Sequence, residues 1–287
     1  MTKILFKLWV NCFHQLAVYR VDPRLKRDQA KSGESLTRVI LEYHRWTHER
    51  FKYEAKISLL PWEAVQKRIE TYFEHWNNGL LPHEDESDFE DEEEDQGPDP
   101  AGPDFPGADT ETATGVFQAL FRKDPDFEDD DTMRKYLLSS EQSPVRHDIR
   151  DRLINRARDM YDKLYCTHAL EYCTRTAEDL WHKLARFTHG RSADDTREGC
   201  DAWPFIKVVR IGGPFDICKH IDIADTPGRN DMNRLARASV EDYLPSCSAV
   251  IIACNSSRII SNDSLPVQIE KIQRHHPVTV VATFSEV

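Results

Sequence analysis

The chain has 287 residues, enough for one large or two medium hydrophobic cores, and it contains 39% hydrophobic and 31% charged residues. No run of about 18 apolar residues occurs, which argues against a transmembrane helix. Seven cysteines at irregular spacing are typical of a reducing compartment, so we expect an intracellular protein.

Residues 1–30 form a first segment whose role the sequence leaves open. The first 20 residues contain no acidic side chain, and their apolar residues fall on one helical face: Ile4, Leu5, Leu8, Trp9, Cys12, Phe13 and Leu16. This pattern is compatible with an amphipathic targeting or interfacial helix. The alternatives are a helix or strand packed on the domain, or sequence introduced by an imperfect gene model.

Residues 31–82 are predicted to begin a folded domain. Residues 37–43 and 51–59 have the character of strands, and we expect these two strands to pair with each other. A helix should follow over residues 61–76, because a proline is tolerated in the first helical turn and apolar side chains recur on one face. Those side chains are Val65, Ile69, Tyr72, Phe73 and Trp76.

The net charge of −12 is concentrated in one part of the chain. Residues 83–131 hold 20 acidic and two basic residues, a net charge of −18, so the remainder carries +6. We predict that residues 83–115 form a disordered acidic linker, because like charges repel and few apolar groups are present to offset the chain entropy. The linker would serve as a spacer or would bind a basic protein partner.

Residues 116–200 are predicted to be a helical insertion. Residues 145–188 show apolar side chains near helical spacing, with arginines and aspartates on the other face. Cys166, His168 and Cys173 would suggest zinc, but a complete set of four ligands at finger spacing is missing. We therefore expect these cysteines to be ordinary core residues.

Residues 201–287 alternate strand and helix patterns. Strands are predicted at residues 206–211, 220–224, 249–254 and 278–283, and helices at residues 231–243 and 265–272. The glycines at 212 and 213 should turn the first two strands into a hairpin. Apolar strands that alternate with helices are typical of a doubly wound α/β fold with parallel strands.

The second of these strands ends in the sequence Asp-Thr-Pro-Gly, residues 225–228. In P-loop NTPases such a D-x-x-G sequence lies where a core strand ends; the Asp holds Mg²⁺ through water and the Gly amide reaches the γ-phosphate. Glycine is required there because a Cβ would block so close an approach. The pattern alone is common by chance, and any other α/β domain with a turn after an Asp would also fit.

Residues 203–211, 225–237 and 243–252 resemble dynamin-type large GTPases, and residues 32–76 do so more loosely. The most similar branch contains the nuclear germinal-centre GTPase and its fungal relatives, so the resemblance implies a nuclear or cytoplasmic location. The resemblance implies a P-loop GTPase-like sheet, guanine nucleotide and Mg²⁺ as ligands, and a homodimer formed through the G domain.

The same resemblance assigns roles in GTP and Mg²⁺ binding to individual residues of this sequence. It implies that Thr37 and Asp225 act on Mg²⁺ and that Gly228 contacts the γ-phosphate, with Thr226 in the same GTP-binding loop. Thr283 and Glu286 fall where the family has its guanine-specificity box, although that box normally ends in Asp. Glutamate can accept the same two hydrogen bonds from the base through a longer side chain.

The phosphate-binding sequence G-x-x-x-x-G-K-[ST] is missing from these residues, in which the first glycine is Gly33. Residues 11–16 stand where that sequence is expected, and they offer neither the glycine turn nor the lysine. We therefore interpret the chain as an incomplete, truncated G domain with weak or absent GTP binding by itself and no identified catalytic residue. The alternative is a pseudo-GTPase, a protein-interaction module that uses the fold and the acidic linker without nucleotide.

Overall fold

A computed structural model describes residues 2–8, 38–80, 106–127, 129–138, 145–166, 170–188, 201–227, 234–255 and 264–283. The strands are β1 (Thr2–Leu8), β2 (Ile40–Arg45), β3 (Tyr53–Leu59), β4 (Glu171–Thr174), β5 (Ile206–Gly213), β6 (Ile221–Asp225), β7 (Ala249–Asn255) and β8 (Val278–Thr283). The helices are α1 (Trp62–Leu80), α2 (Pro106–Phe121), α3 (Asp130–Leu138), α4 (Val145–Cys166), α5 (Ala177–Thr188), α6 (Arg234–Tyr243) and α7 (Ser264–Gln273).

The described strands form one mixed eight-stranded sheet in the order β4-β3-β5-β2-β6-β1-β7-β8. The strands β6, β1, β7 and β8 are mutually parallel. On the other side of β6, β2 is antiparallel to it and parallel to β5, and β3 is antiparallel to both β5 and β4. The prediction of an α/β fold with parallel core strands is confirmed by this half of the sheet.

The sheet has a core cluster on each face, because side chains alternate between the faces along a strand. Val39, which precedes β2, and Leu41 belong to the larger cluster, whereas Ile40 belongs to a smaller one. The larger cluster includes side chains from α1 to α5, and the smaller one joins β7 to α6 and α7. The helices predicted at 61–76, 231–243 and 265–272 correspond to α1, α6 and α7, although residues 231–233 lie outside the described ranges.

The first segment contains a strand rather than the amphipathic helix that was one interpretation of its sequence. Residues Thr2–Leu8 pair with β6 on one side and β7 on the other. A short apolar run fits a buried strand as well as a helix, because periodicity over seven residues does not separate the two. Pairing with both β6 and β7 shows that this segment is a strand, and β1 lies inside the sheet rather than at its edge.

Neither predicted hairpin forms. The strand β5 lies between β2 and β3, and β2 lies between β5 and β6, so the order is β3-β5-β2-β6. Each connection, residues 46–52 and residues 214–220, has seven residues, enough to cross one intervening strand at about 10 Å between the outer strands. The two pairs of sequence neighbours are therefore interleaved, which strand patterns in the sequence do not reveal.

The structure differs from the predicted boundaries of the acidic linker and of the helical insertion. Helix α2 begins at Pro106, inside the segment predicted to be disordered, and it buries Ala113, Val116 and Phe117. Burial of these apolar side chains offsets the loss of chain entropy in this part. The remainder of the predicted linker, residues 83–105, lies outside the described residues. The predicted helical block is interrupted by β4, which pairs with the edge of β3.

The prediction that the cysteines of the insertion are core residues is wrong. Cys166 and Cys173 are exposed free thiols, whereas Cys218 and Cys247 are buried. His168 lies outside the described residues, and the described ranges hold no group of three or more potential metal ligands from His, Cys, Asp and Glu. None of the described helices is both long and apolar enough to cross a membrane.

A glycine on β5 is required by close packing. A Cβ built on Gly212 would lie 2.7 Å from Glu54 Cγ, 2.7 Å from Trp46 Cβ and 2.8 Å from His44 Nε2. His44 and Glu54 are themselves joined by a contact of 3.0 Å between Nε2 and Oε1. A side chain at this position would push apart two strands and a partly buried polar pair.

We therefore expect Gly212→Ala to lower the free energy of unfolding by about 1–3 kcal/mol, because overpacking forces side chains and backbone to shift. Gly115 is the matched control, since it lies in α2 and a Cβ there would meet nothing within 4 Å. Gly115→Ala should stabilise the protein by about 0.5–1 kcal/mol through a better helix propensity. Urea unfolding of both variants measures the difference, and an equal effect of the two would contradict the packing argument.

Candidate functional site

The candidate site is built around the end of β6. Three residues of this strand, Asp222, Ile223 and Ala224, are buried, and Asp225 follows them as its last residue. Asp225 stands opposite Leu41 of β2 and opposite Phe6 of β1 in the strand register. The sequence thus places a carboxylate where a core strand reaches the edge of the sheet, as predicted.

Four strands end at this same edge, because β6, β1, β7 and β8 run in one direction. Their last residues are Asp225, Leu8, Asn255 and Thr283. The strands β6 and β7 lie on opposite sides of β1, although they follow each other in the chain order of the strands. In open α/β sheets, ligands bind outside the carboxyl ends of the strands at such a reversal of strand order.

Three of the six predicted nucleotide-binding residues are described. Asp225 and Thr226 lie at the end of β6, and Thr283 ends β8 at the same edge, separated by the widths of β1 and β7. Three strand spacings correspond to about 14 Å across the sheet. Thr37, Gly228 and Glu286 lie outside the described residues, and so do residues 11–16.

The segment that follows Thr37 reaches this edge as well. Its first described residue is Arg38, whose backbone N–H donates to the carbonyl of Thr188 over 2.9 Å. Strand β2 then starts at Ile40 and runs away from the edge, antiparallel to β6. The described ends of the two segments predicted to contact Mg²⁺ are therefore neighbours, and residues 9–37 connect the end of β1 to this point.

The carboxyl group of Asp225 has an unusual electrostatic environment. Burial raises the pKa of Asp225 to about 7, and a hydrogen bond from the Thr226 backbone N–H opposes this rise only in part. Among the described residues, no cationic side chain contributes to this shift. A desolvated carboxylate without a compensating positive charge is destabilised in its ionised form, which a bound cation would reverse.

A neighbouring oxygen atom also lacks a partner. The buried Oγ1 of Thr226, the residue after Asp225, has no hydrogen-bond partner among the described residues. Mg²⁺ takes oxygen ligands and is usually bound through one or two carboxylates together with water and substrate phosphates. Asp225 and Thr226 therefore fit a magnesium site in their chemistry, and the guanine side of the predicted site is described only by Thr283.

A buried polar cluster lies close to this site and was not identified in the sequence. Glu42 of β2 is 2% exposed; its Oε1 is 2.6 Å from Arg210 Nε, and its Oε2 accepts a hydrogen bond of 2.6 Å from the Tyr243 hydroxyl. Burial, followed by the interaction with Glu42, raises the pKa of Tyr243. The cluster joins β2, β5 and α6, the helix that follows the D-x-x-G sequence.

A signal for this cluster is present in the sequence. Glu42 interrupts the run Val-Ile-Leu-Glu-Tyr of residues 39–43, and a carboxylate inside a buried strand requires a partner. The partners Arg210 and Tyr243 are 168 and 201 positions away in the chain, as their residue numbers show. Only the interleaved strand order brings them to Glu42.

The described residues thus form a mixed α/β domain with an acidic residue at a strand-order reversal, a class typical of nucleotide-binding folds. No protein-family model and no curated protein matches the chain. Among solved structures, it is similar to two chains of an oligomerised bacterial dynamin pair, described as providing a mechanism for the long-range sensing and tethering of membranes.

The similarity to the bacterial dynamin chains is distant. The identities are 12% and 13%, with TM-scores of 0.33 and 0.34. The match covers 94% of this chain and 30% of each neighbour, so the chain spans less than a third of those proteins. Similarity at this level carries no argument about the fold, which is defined by the order and directions of the strands.

Proposed function

We propose that this chain is a guanine-nucleotide-binding domain of the dynamin type, with its site at the carboxyl edge of β6, β1, β7 and β8. The observation that carries the proposal is Asp225, a desolvated carboxylate at the end of β6 and beside the central strand β1. The D-x-x-G sequence and the resemblance of residues 203–252 support it. The narrower relationship to the nuclear germinal-centre branch remains a prediction.

Different residues would bind the metal ion, the terminal phosphate and the base. Asp225 and Thr37 would hold Mg²⁺, the amide of Gly228 would donate to the terminal phosphate, and Thr226 would lie in the same loop. Thr283 and Glu286 would contact the guanine base. When bound, Mg²⁺ would neutralise negative charge on the phosphate oxygens.

We expect the affinity of this polypeptide for GTP to be low. The glycine-rich turn and lysine that cradle the phosphates are missing from its sequence, and these groups supply much of the binding energy for a triphosphate. Binding should therefore be undetectable or have a Kd on the order of 1 mM. Hydrolysis should not be measurable, because no residue that would activate water is identified.

Titration of a fluorescent GTP analogue in the presence of Mg²⁺ tests this proposal. Any binding should disappear with EDTA and in Asp225→Ala, and it should persist in Asp216→Ala, the matched control on the exposed 3₁₀ turn before β6. Saturable binding at micromolar concentration would contradict the expected weakness. Equal binding by wild type and Asp225→Ala would contradict the assignment of the site.

The second candidate is a pseudo-GTPase that retains the fold and engages a protein partner. The missing phosphate-binding sequence favours it, and the acidic residues 84–95 would attract a basic partner. No binding of GTP, together with salt-sensitive binding of a lysine-rich peptide, would support this candidate. Sedimentation velocity with and without nucleotide tests the homodimer that the resemblance implies.

A further inference from the structure

A connection rich in aromatic and basic residues lies at the edge of the sheet opposite the candidate site. Strands β2 and β5 run in parallel away from the site and end at this far edge with Arg45 and Gly213. Residues 45–52, the last residue of β2 and its connection to β3, are called the aromatic loop below. They include two aromatic side chains, one histidine, three cations and one carboxylate: Trp46, Phe51, His48, Arg45, Arg50, Lys52 and Glu49.

The aromatic loop has a fixed shape. The backbone N–H of Trp46 donates to the carbonyl of Gly213 over 2.9 Å, and that of Lys52 donates over 3.0 Å to the last carbonyl of β4. The ring of His48 stacks with those of Trp46 and Phe51, at centroid distances of 5.3 Å and 5.9 Å. A partner that binds this loop therefore has little loop entropy to offset.

The loop presents positive charge beside apolar rings. Arg45, Arg50 and Lys52 are exposed, and no described carboxylate forms an ion pair with any of them. The guanidinium of Arg50 lies 5.3 Å from the centre of the half-buried ring of Phe51. Three cations and the single carboxylate of Glu49 give the loop a net charge of +2. The loop is complementary to a partner that combines acidic groups with an aromatic side chain.

The chain itself contains a segment with this chemistry. Residues 84–95 hold ten acidic residues and no cation, and Phe89 lies near the middle of the run. These residues are outside the described ranges, on the part of the chain between α1 and α2. A segment tethered to its binding surface is present at an effective concentration on the order of 1 mM, so contacts that are individually weak suffice to hold it.

We propose that residues 84–95 bind the aromatic loop of the same chain, with Phe89 against the rings of Trp46 and Phe51 and the carboxylates beside the three cations. The attraction between the charges is screened by salt, whereas the contact between aromatic rings depends on their burial. The contact would withhold the acidic segment from a basic protein partner. It is independent of the proposed function, because the loop lies at the other end of the strands from Asp225.

Competition by a synthetic peptide tests the proposal. The peptide has the sequence of residues 83–96 and is titrated, at about 50 mM salt, into two ¹⁵N-labelled full-length proteins while the amide signals of the aromatic loop are followed. One protein is the wild type; in the other, the neutralised variant, every Glu and Asp of residues 84–95 is replaced by Gln or Asn. We expect the neutralised variant to bind with a Kd on the order of 1 mM and the wild type about threefold more weakly, because its own segment competes.

Substitutions in the neutralised variant locate the binding surface. Arg50→Glu should weaken binding of the peptide about fivefold or more, and Phe89→Ala in the peptide should weaken it about two- to tenfold. Lys207→Glu is the matched control, because Lys207 is exposed near the opposite end of β5 and the substitution changes the net charge equally. It should leave binding unchanged. Circular dichroism confirms that each variant is folded.

No saturable binding by the neutralised variant would overturn the proposal, and so would equal weakening by Arg50→Glu and Lys207→Glu. Equal binding of the peptide by the wild type and the neutralised variant would also overturn it, because the aromatic loop would then be unoccupied in the wild type.

Sedimentation velocity of the wild type at increasing concentration distinguishes one chain from two. A monomer, or a dimer that Arg50→Glu leaves intact, supports binding within one chain. A dimer that Arg50→Glu dissociates would overturn the proposal and assign the acidic segment to the aromatic loop of a second copy.

Discussion

Replacing Arg210 by alanine is expected to lower the free energy of unfolding by about 3 kcal/mol, because it leaves the buried carboxylate of Glu42 without its ion-pair partner. The Glu42 side chain is 3% exposed, whereas that of Arg210 is 44% exposed. The buried member therefore depends on the more accessible one. Since water already reaches part of the guanidinium, we place the effect at the low end of the range for broken buried pairs. Urea unfolding at neutral pH measures it.

A double-mutant cycle separates the ion pair from other effects of the substitution. Once Glu42→Gln removes the buried charge, Arg210→Ala should destabilise the protein by at least about 1 kcal/mol less than it does in the wild type. Arg274→Ala is the control for a surface pair, because Arg274 and Glu270 are 68% and 70% exposed. That variant should change stability by less than about 0.5 kcal/mol. Equal effects of Arg210→Ala and Arg274→Ala would refute the role of burial.

Asp225→Asn is expected to stabilise the protein at high pH and to have little effect at low pH. The pKa of Asp225 is raised to about 7 in the folded chain, against about 3.9 for an unfolded aspartate. The folded state therefore holds the proton more tightly, and wild-type stability falls as the pH rises from about 4 to about 7. The asparagine variant lacks this loss, so it should exceed the wild type by up to about 4 kcal/mol above pH 7.

Thermal unfolding of both proteins between pH 4 and pH 8 measures this difference, and their comparison cancels the other titrating groups. Mg²⁺ should raise the stability of the wild type at pH 8 and have a smaller effect on Asp225→Asn, since the amide carries no charge. A difference between the proteins that is constant across this pH range would show that Asp225 does not titrate as described.

The candidate site at the end of β6 is connected to β2, β5 and α6. The cluster of Glu42, Arg210 and Tyr243 ties α6 to β2, and Asp225 stands opposite Leu41 in the same pair of strands. A shift of α6 would therefore disturb β2 next to the predicted Mg²⁺ ligands. Tyr243→Phe would remove the link to α6 while leaving the ion pair of Glu42 and Arg210 in place.

The sequence by itself determined the core strands and the position of the candidate site. The apolar runs at 249–254 and 278–283 are strands β7 and β8, and the alternating run before Asp225 is β6. These predictions succeed because a run of apolar, largely β-branched residues favours a strand and is a local property of the chain, although Val280 and Val281 of β8 are exposed. The same holds for α1, whose apolar stripe is buried in the larger core cluster.

Only the tertiary structure decided how these elements are arranged. The patterns of β2, β3, β5 and β6 suggested two hairpins, whereas the strands interleave, because pairing partners depend on contacts between residues far apart in the chain. The insertion of β1 between β6 and β7 makes the end of β6 part of a reversal in strand order. The ion pair of Glu42 arises in the same way, since its members come from separate elements that meet only when the sheet is assembled.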